Sequence, residues 1–235
     1  MMNINININI ITFIIPTIGR ETLENTVNSL LELNNHNWKA LILFDGIKNT
    51  FHFEDERIIC LEIEKQGKID IKNNAGMVRN IGFDYILNNN INTQFIGFVD
   101  DDDTLHPNYI NNVLEENTVN NDVDLIIFRM MYKNKTYLPK KNDIKLKVKH
   151  FGISFVFKKS ILIHENENKN KNKKENKINY FINHPYEDFL FLKNIFDKKY
   201  KIIISPYINY FIRTDYKECM NVLNVNLPRV LLNFS

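Results

Sequence analysis

The sequence predicts an α/β fold in which a mostly parallel central sheet carries helices on both faces. One pattern leads to this class, and the length and composition lead to the number of domains. In the first 120 residues, short apolar runs alternate with segments whose apolar residues recur every three or four positions. That alternation is typical of parallel strands joined by amphipathic helices. The 235 residues, 44% of them hydrophobic, are enough for one sizeable core, so we expect a single domain.

Four apolar runs predict the strands of this first part. They are continuous rather than alternating, as in strands that are buried on both faces. An earlier stretch, residues 3–9, alternates Asn and Ile with strand periodicity, and low-complexity composition is the alternative explanation of this pattern. The four runs are Ile10–Ile15 before Pro16, Ala40–Phe44 before Asp45, Arg57–Ile63, and Phe95–Val99 before Asp100.

Three helices are predicted between and after these strands, each from one apolar face. The first follows Arg20, the second covers Asn73–Asn88, and the third begins near Pro107, since proline is favoured in the first turn of a helix. The residues expected to face inward are, in order, Leu23, Val27, Leu30 and Leu31; Ala75, Val78, Ile81 and Tyr85; and Ile110, Val113 and Leu114.

The second half of the chain contains more strand and less helix. Residues 164–177 hold no large apolar side chain and are predicted to be a solvated loop insertion. We expect residues 1–235 to form one domain with two halves, 8–120 and 121–215, and a tail at 216–235. The predicted elements are strands at Val123–Arg129, Met131–Tyr137, Gly152–Lys158 and Tyr200–Ser205, and a helix at Glu187–Lys198.

Charge and cysteine content exclude several classes of protein. Lys and Arg number 30 against 28 Asp and Glu, so the formal net charge is +2 and no nucleic-acid partner bound through a basic stripe is expected. Two cysteines cannot form a disulfide framework or a cysteine-based zinc site. No apolar run reaches the roughly 18–20 residues of a transmembrane segment, and no signal peptide is evident. We therefore expect a soluble, cytoplasmic protein.

Polar residues follow three of the predicted strands, where ligands of open parallel sheets bind. They are Pro16-Thr17, Asp45-Gly46 and the acidic run Asp100–Asp103. Four consecutive carboxylates repel one another, and hard divalent cations such as Mg²⁺ or Mn²⁺ prefer oxygen ligands. The run therefore indicates a metal site, with a solvated acidic turn before the next helix as the alternative.

Other candidate residues have two interpretations each. No glycine-rich phosphate loop of the dinucleotide or P-loop type occurs, so a bound diphosphate would need a cation such as Arg79. An exposed helical arginine is the alternative for that residue. The pair Glu187-Asp188 stands at a predicted helix start, where the helix dipole favours carboxylates. Either of the two could instead act as a general base toward an acceptor hydroxyl.

Six short motifs follow one another in a recognisable order over residues 10–215. They are FIIPTIGR at 13–20, LFDG at 43–46, GMVRNIG at 76–82, FVDDDD at 98–103 with Pro107, FVFKKS at 155–160 and EDF at 187–189. In this order the motifs resemble family 2 glycosyltransferases of the GT-A fold. One such motif is weak, but six in sequence are specific.

The resemblance implies a GT-A-like domain that moves a sugar from a nucleotide sugar, with a UDP-sugar favoured, to a hydroxyl acceptor with inversion. It implies a divalent metal, Mn²⁺ or Mg²⁺, as cofactor. The nucleotide sugar would be bound by residues 8–120 and the acceptor by residues 121–215. Whether the acceptor is a glycan, a lipid-linked molecule or a protein stays open.

The resemblance also implies roles for individual residues. The nucleotide sugar would contact Pro16, Thr17, Asp45, Arg79, Asp100 and Asp101. Asp102 corresponds to the main metal ligand of the D-x-D motif. Asp188 corresponds to the catalytic base, with Glu187 as its helper or as the alternative base.

The sequence departs from the family pattern in three places. Ile18 replaces an aromatic residue of the first motif, Gly46-Ile47 follows Asp45 in a shortened second motif, and Arg213-Thr214-Asp215 replaces a late segment that usually contains histidine. Two other functions are alternatives. A nucleotidyltransferase would need a loop richer in Gly, Arg and Lys after the first strand, and a degenerate glycan- or partner-binding domain would not need intact carboxylates at 102 and 188.

Overall fold

Parallel strands from the first half of the chain form one side of a mixed sheet. The computed structural model describes residues 9–66, 75–132, 136–143, 145–163, 181–219 and 227–232. Most of the Asn/Ile alternation and the insertion predicted at 164–177 lie outside the described residues.

Ten strands and five main helices are found in the described part of the chain. The strands are β1 (Asn9–Thr17), β2 (Trp38–Asp45), β3 (Ile58–Ile63), β4 (Thr93–Phe98), β5 (Asp103–Leu105), β6 (Leu125–Tyr132), β7 (Thr136–Leu138), β8 (Phe155–Lys158), β9 (Ile202–Ile212) and β10 (Val230–Leu231). The helices are α1 (Leu23–Leu31), α2 (Ala75–Asn88), α3 (Tyr109–Val119), α4 (Glu187–Asp197) and α5 (Tyr216–Cys219).

The strand order explains how the two halves of the chain share one sheet. Within the described residues the order is β10-β9-β6-β8-β4-β1-β2-β3, with β5 paired to β9 and β7 paired to β6. Strands β3, β2, β1 and β4 are parallel. Strand β8 lies antiparallel between β4 and β6, and β6 is parallel to β9. The predicted α/β class with a mostly parallel sheet is confirmed.

Helices cover both faces of the sheet, as two adjacent residues of β1 demonstrate. Successive side chains of a strand point to opposite faces. Ile14 lies against Gly82 of α2, where an added methyl group would approach the isoleucine side chain within 2.8 Å. Phe13 packs edge-to-face on Tyr109 of α3 with ring centroids 5.6 Å apart. The α2 and α3 helices are therefore on opposite faces.

Three sequence predictions about these elements were wrong in detail. The inward face of α2 is formed by Gly76, Val78, Arg79, Gly82, Phe83 and Ile86 rather than by the expected set, of which Val78 alone is fully buried. Leu31 of α1 is exposed. The predicted strand Met131–Tyr137 is instead the end of β6 and the short strand β7, which pair as a hairpin.

Candidate active site

The carboxyl ends of β1, β2 and β4 bring three of the predicted polar segments to one edge of the sheet. These strands are parallel neighbours, with Thr17 opposite Phe44 and Ile14 opposite Phe98. Thr17 is buried, and its hydroxyl donates to Asp101 Oδ2 at 2.7 Å and accepts from the Gly19 amide at 2.9 Å. The first and third strand ends are therefore in direct contact, as the parallel sheet predicts.

Asp45, at the end of β2, is buried and has two partners. The Lys65 ammonium donates to Oδ2 at 2.7 Å, and the Gln66 amide donates to Oδ1 at 2.6 Å. The carboxylate therefore fixes the chain that follows β3 to the same edge. Its expected contact with the nucleotide base stays a prediction, as does that of Pro16, which is buried at the end of β1.

The acidic run after β4 is a structured turn with cationic partners, and the alternative of a solvated acidic turn is wrong. Asp101 and Asp103 are each only 4% exposed. The Arg20 guanidinium donates to Asp101 Oδ1 at 2.8 Å and lies 3.2 Å from Asp102 Oδ2. Arg213 Nε donates to that same Asp102 oxygen at 3.0 Å.

Elements from both halves of the chain fix the backbone of this turn. Thr26 of α1 donates to the Asp103 carbonyl at 2.8 Å. The Arg213 amide donates to Asp103 Oδ1 at 3.0 Å, and the buried Tyr210 hydroxyl accepts from the Asp100 amide at 3.1 Å. Burial, together with the neighbouring Asp100 charge, raises the pKa of Asp103 to about 8. Asp103 is thus a structural carboxyl rather than an exposed ligand.

Arg79 is the centre of the site and is only 1% exposed, so the alternative of an exposed helical arginine is wrong. Its guanidinium donates to Asp100 at 2.6 Å, to Glu187 at 2.9 Å and to Asp188 at 3.2 Å. It also lies over the rings of Phe98 and Phe181, with centroid distances of 5.7 and 5.3 Å. One cation therefore connects the acidic run to the carboxylates of α4.

Glu187 and Asp188 stand at the start of α4 in different surroundings. The Glu187 carboxylate is 2% exposed and accepts from the Gly76 amide at 3.0 Å as well as from Arg79. The Asp188 side chain keeps 28% exposure. Burial raises the pKa of Glu187 to about 7 and that of Asp188 to about 6, against the opposing effect of Arg79. Asp188 is the member of the pair that a substrate can reach.

The acidic turn has the chemistry of a divalent-cation site, although no group of three or more metal-ligating side chains converges among the residues described. Mg²⁺ and Mn²⁺ are commonly held by one or two carboxylates together with substrate phosphates. Asp102 is partly exposed, and its two ion-pair partners, Arg20 and Arg213, have exposed guanidinium groups, so the carboxylate can be reached from solvent. The residues present therefore fit a metal that is bound jointly with a diphosphate.

Sequence reasoning assigned no role to Arg20, Arg213 or Tyr210, which all contact the acidic run. Arg20 belongs to the first motif, and Arg213 was noted only as a departure from the family pattern. The left-handed backbone at Arg213, with φ of +49°, could not be read from the sequence. Tyr210 had no signal beyond its position in an apolar strand, because its partner is 110 residues away.

The solved structures that share this fold include three of Staphylococcus aureus TarS. Residues 1–349 of TarS give a TM-score of 0.61 at 15% identity, covering 93% of this chain and 67% of that one. The same fragment in complex with UDP-GlcNAc gives 0.60 at 14%, covering 92% and 62%. A third TarS structure gives 0.58 at 16%, covering 93% of this chain and 40% of that one. At such identities the likeness shows the fold alone.

This chain thus spans about two thirds or less of the TarS chains it resembles. None of the curated proteins matches its sequence. No helix in the described part of the chain combines the length and apolar character needed to cross a bilayer.

A family model described as Glycosyl transferase family 2 matches residues 12–193, well over half of the chain. The match includes the acidic run, Arg79 and the Glu187-Asp188 pair. It places the chain among glycosyltransferases rather than nucleotidyltransferases. This chain belongs to glycosyl transferase family 2.

Proposed function

We propose that this domain transfers a sugar from a UDP-sugar to a hydroxyl group of an acceptor, with inversion at the anomeric carbon and with help from a divalent cation. One observation carries the proposal. Asp188 is a partly exposed carboxylate with a raised pKa, and the Arg79 guanidinium connects it to Asp100 at the end of β4. A candidate base thus lies beside the strand end where a donor would bind.

In the proposed reaction, Asp188 accepts the proton of the acceptor hydroxyl. The acceptor oxygen then forms a bond to the anomeric carbon on the face opposite the leaving group. The bond from that carbon to the diphosphate oxygen breaks, and its electron pair leaves with UDP. A pKa of about 6 suits this role, because the carboxylate is ionised at neutral pH and still basic enough to take a proton.

Arg79 and Glu187 support the base without direct contact with substrate. Arg79 holds Asp188 and Asp100 in a fixed relation, while Glu187 joins the start of α2 to the start of α4. Arg79 is too buried to offer a free face to a diphosphate. We therefore assign it a positioning role in place of the direct nucleotide contact that the family resemblance implies.

The proposed donor is supported by the fold comparison and by the strand ends. S. aureus TarS, which shares the fold, has been crystallised with UDP-GlcNAc and with UDP. In this chain the carboxyl ends of the parallel strands carry Thr17, Asp45 and Asp100. We propose that the uridine lies along this edge and that the diphosphate faces Asp102.

Asp102 would hold the divalent cation together with the donor diphosphate. When bound, Mn²⁺ or Mg²⁺ stabilises the negative charge that develops on the leaving diphosphate. Arg20 and Arg213 now neutralise Asp102, and both guanidinium groups are well exposed, so they are able to turn toward the diphosphate oxygens.

The direct experiment is an assay of nucleoside diphosphate release. The protein is incubated with UDP-GlcNAc, UDP-glucose, UDP-galactose and GDP-mannose, each with Mn²⁺ or with EDTA. Release of UDP from one UDP-sugar, dependent on Mn²⁺ and lost in the Asp188→Asn variant, is the expected result. Binding of UDP without any release, in the presence of an acceptor mixture, would indicate the degenerate binding domain instead.

A further inference from the structure

A strongly basic surface lies outside the candidate active site. We call Lys140–Asp143 together with Lys145–His150 the basic segment. It contains five lysines and one aspartate, a formal charge of 5 − 1 = +4, whereas the whole chain carries +2. The rest of the chain therefore has a formal charge of 2 − 4 = −2. The basic segment therefore has a clear net positive charge, while the remainder of the chain taken together is slightly negative.

The lysines of the basic segment are available to a ligand. All five are exposed. The one carboxylate in the segment, that of Asp143, is 6% exposed and already has two partners. It accepts from the Lys140 amide at 2.7 Å and lies 3.0 Å from His150 Nδ1. Asp143 therefore folds the segment but leaves most of its positive charge facing solvent.

The basic segment is held to the domain at both ends. Arg129 of β6 is fully buried, and its guanidinium donates to the carbonyls of Pro139 and Lys140 and, at 2.9 Å, to that of Pro228. After the segment, Phe151 and Ile153 are buried in the main core. The backbone that carries the lysines is therefore fixed at both ends, which lowers the cost in conformational entropy of ordering the segment on binding.

Topology places the basic segment at the same edge of the sheet as the candidate active site. The segment connects β7, whose Leu138 pairs with Met130, to β8, whose Phe155 pairs with Ile127. Strand β8 is antiparallel to β4, with Val156 opposite Gly97. Its first residue is therefore next to the end of β4, where the acidic run begins.

We propose that the basic segment binds the acceptor, and that the acceptor is a polymer carrying repeated negative charges such as phosphate groups. This inference rests on the proposed function, since it names the acceptor class for the same reaction. The acidic run and the α4 carboxylates would repel such a polymer, and a lysine cluster on the same edge offsets this repulsion at short range.

A membrane surface is a different partner for basic residues, and the structure favours it less. Stable attachment to a bilayer surface needs an apolar face that enters the lipid as well as basic residues. Val148 is the one large apolar side chain of the described part of the segment that is clearly exposed, at 40%, and the segment contains no aromatic residue apart from His150. The described residues 145–150 form bends and turns rather than an amphipathic helix.

The test measures binding of fluorescent inorganic polyphosphate to the whole chain by anisotropy at about 0.15 M salt, near physiological ionic strength. The variant replaces Lys145, Lys147 and Lys149 with Gln. We expect its affinity to fall at least about tenfold, and the slope of log affinity against log salt to become shallower by about 2, because each phosphate contact contributes roughly 0.7–0.9.

The matched control replaces Lys193, Lys198 and Lys199 with Gln. This control removes the same amount of charge. Its three lysines lie in the second half of α4 and just after it, before β9 begins, and the start of β9 is at the sheet edge opposite the candidate active site. Polyphosphate affinity close to that of the wild type is expected in this control. Equal losses in both variants, or no loss in the first, would overturn the proposal. Thermal melting of each variant verifies that it is folded.

Two further measurements distinguish this proposal from membrane binding and from the proposed glycosyl transfer itself. Vesicles containing phosphatidylglycerol are tested in parallel, and binding to vesicles with none to polyphosphate would overturn the polymer acceptor in favour of a membrane. UDP release from the donor by hydrolysis should be unchanged by the basic-segment substitutions. Sugar transfer to uncharged acceptors could also be efficient in both lysine variants. In that case the acceptor proposal would fail, while the proposed glycosyl transfer would stand.

Discussion

Asp188 is the residue on which turnover is expected to depend most. Asp188→Asn keeps the side-chain shape but cannot accept a proton at neutral pH. We predict that sugar transfer falls by roughly 10²–10⁴-fold, the usual contribution of a general base. The affinity for UDP should change little, because the expected donor contacts lie on other residues. Turnover assays and calorimetry with UDP test this.

Glu187→Gln is the companion variant. Glu187 is buried against Arg79 and the Gly76 amide. Removing one charge of a buried pair typically costs about 3–5 kcal/mol, so we expect a lower melting temperature and a smaller loss of turnover per folded molecule than in Asp188→Asn. If Glu187→Gln lost the larger share of turnover, the base would be Glu187. Near-normal turnover in both variants would exclude the pair.

The pH dependence of turnover follows from the raised pKa of Asp188. A general base works only when it is ionised. With a pKa of about 6, the active fraction is nearly complete above pH 7 and falls about tenfold for each pH unit below 6. We predict this acid limb in kcat/KM. An acid limb near 4, the ordinary value for an aspartate, would contradict the raised pKa of this partly buried carboxylate.

Asp102 is expected to be the main protein ligand of the divalent metal. We predict that Mn²⁺ or Mg²⁺ strengthens UDP binding, and that Asp102→Asn removes most of that gain, because the carboxylate is the ligand proposed to share the ion with the diphosphate. Calorimetry with and without EDTA measures both effects. Identical UDP affinity in the wild type and in Asp102→Asn, each measured with and without EDTA, would rule out a metal at this residue.

At the residue scale, sequence patterns predicted which side chains gather at the edge but not how they are connected. Strand ends in a parallel sheet made the convergence of Thr17 and Asp101 predictable. Arg79 was expected either near the diphosphate or exposed to solvent; its burial excludes the second place, and a contact with the diphosphate stays a prediction. Its true partners on α4 are 108 and 109 residues away, and no local pattern contains that information.

At the element scale, the contact between α2 and α4 depends on the absence of a side chain at Gly76. A methyl group there would collide with the Glu187 carboxylate and the Phe181 side chain. We predict that Gly76→Ala displaces the start of α4 and lowers turnover by more than tenfold, along with a loss of stability of about 1–3 kcal/mol typical of overpacking. Denaturant unfolding and turnover assays measure the two effects.

Gly82→Ala, six residues further along α2, is the matched control. Its methyl group would meet Ile14 of β1 rather than α4. We expect a similar loss of stability with turnover per folded molecule largely kept. If the two variants lost turnover equally, the position of α4 would not depend on this contact.

Elements of the first half were easier to predict than those of the second. Strands β1, β2 and β4 are buried along most of their length, so continuous apolar runs identified them. The face of α2 was misjudged because Gly76, Gly82 and Arg79, residues that are not apolar side chains, make its closest contacts. The prediction for β9 ended at Ser205, whereas the strand continues to Ile212, because its second half pairs with β5 and with the far end of β6.

At the scale of the whole molecule, the low-complexity stretch 164–177 is expected to add little stability. Its residues contain almost no apolar surface to bury. We predict that replacing it with a short Gly/Ser linker changes the free energy of unfolding only slightly, since loop-closure entropy varies slowly with length. A cooperative loss of several kcal/mol would show that these residues are part of the structure. Lost transfer with stability retained would connect them to the acceptor.

The interleaved strand order also governs when the site can exist during synthesis. Asp103 depends on the backbone of Arg213, 110 positions later, and Arg79 depends on α4. Such distant pairings raise contact order and slow folding. A ribosome adding about 5–20 residues per second leaves the acidic run without these partners for roughly 5–20 seconds. During this interval the run has only its earlier partners Thr17, Arg20 and Arg79, so the complete turn forms only after β9 has been made.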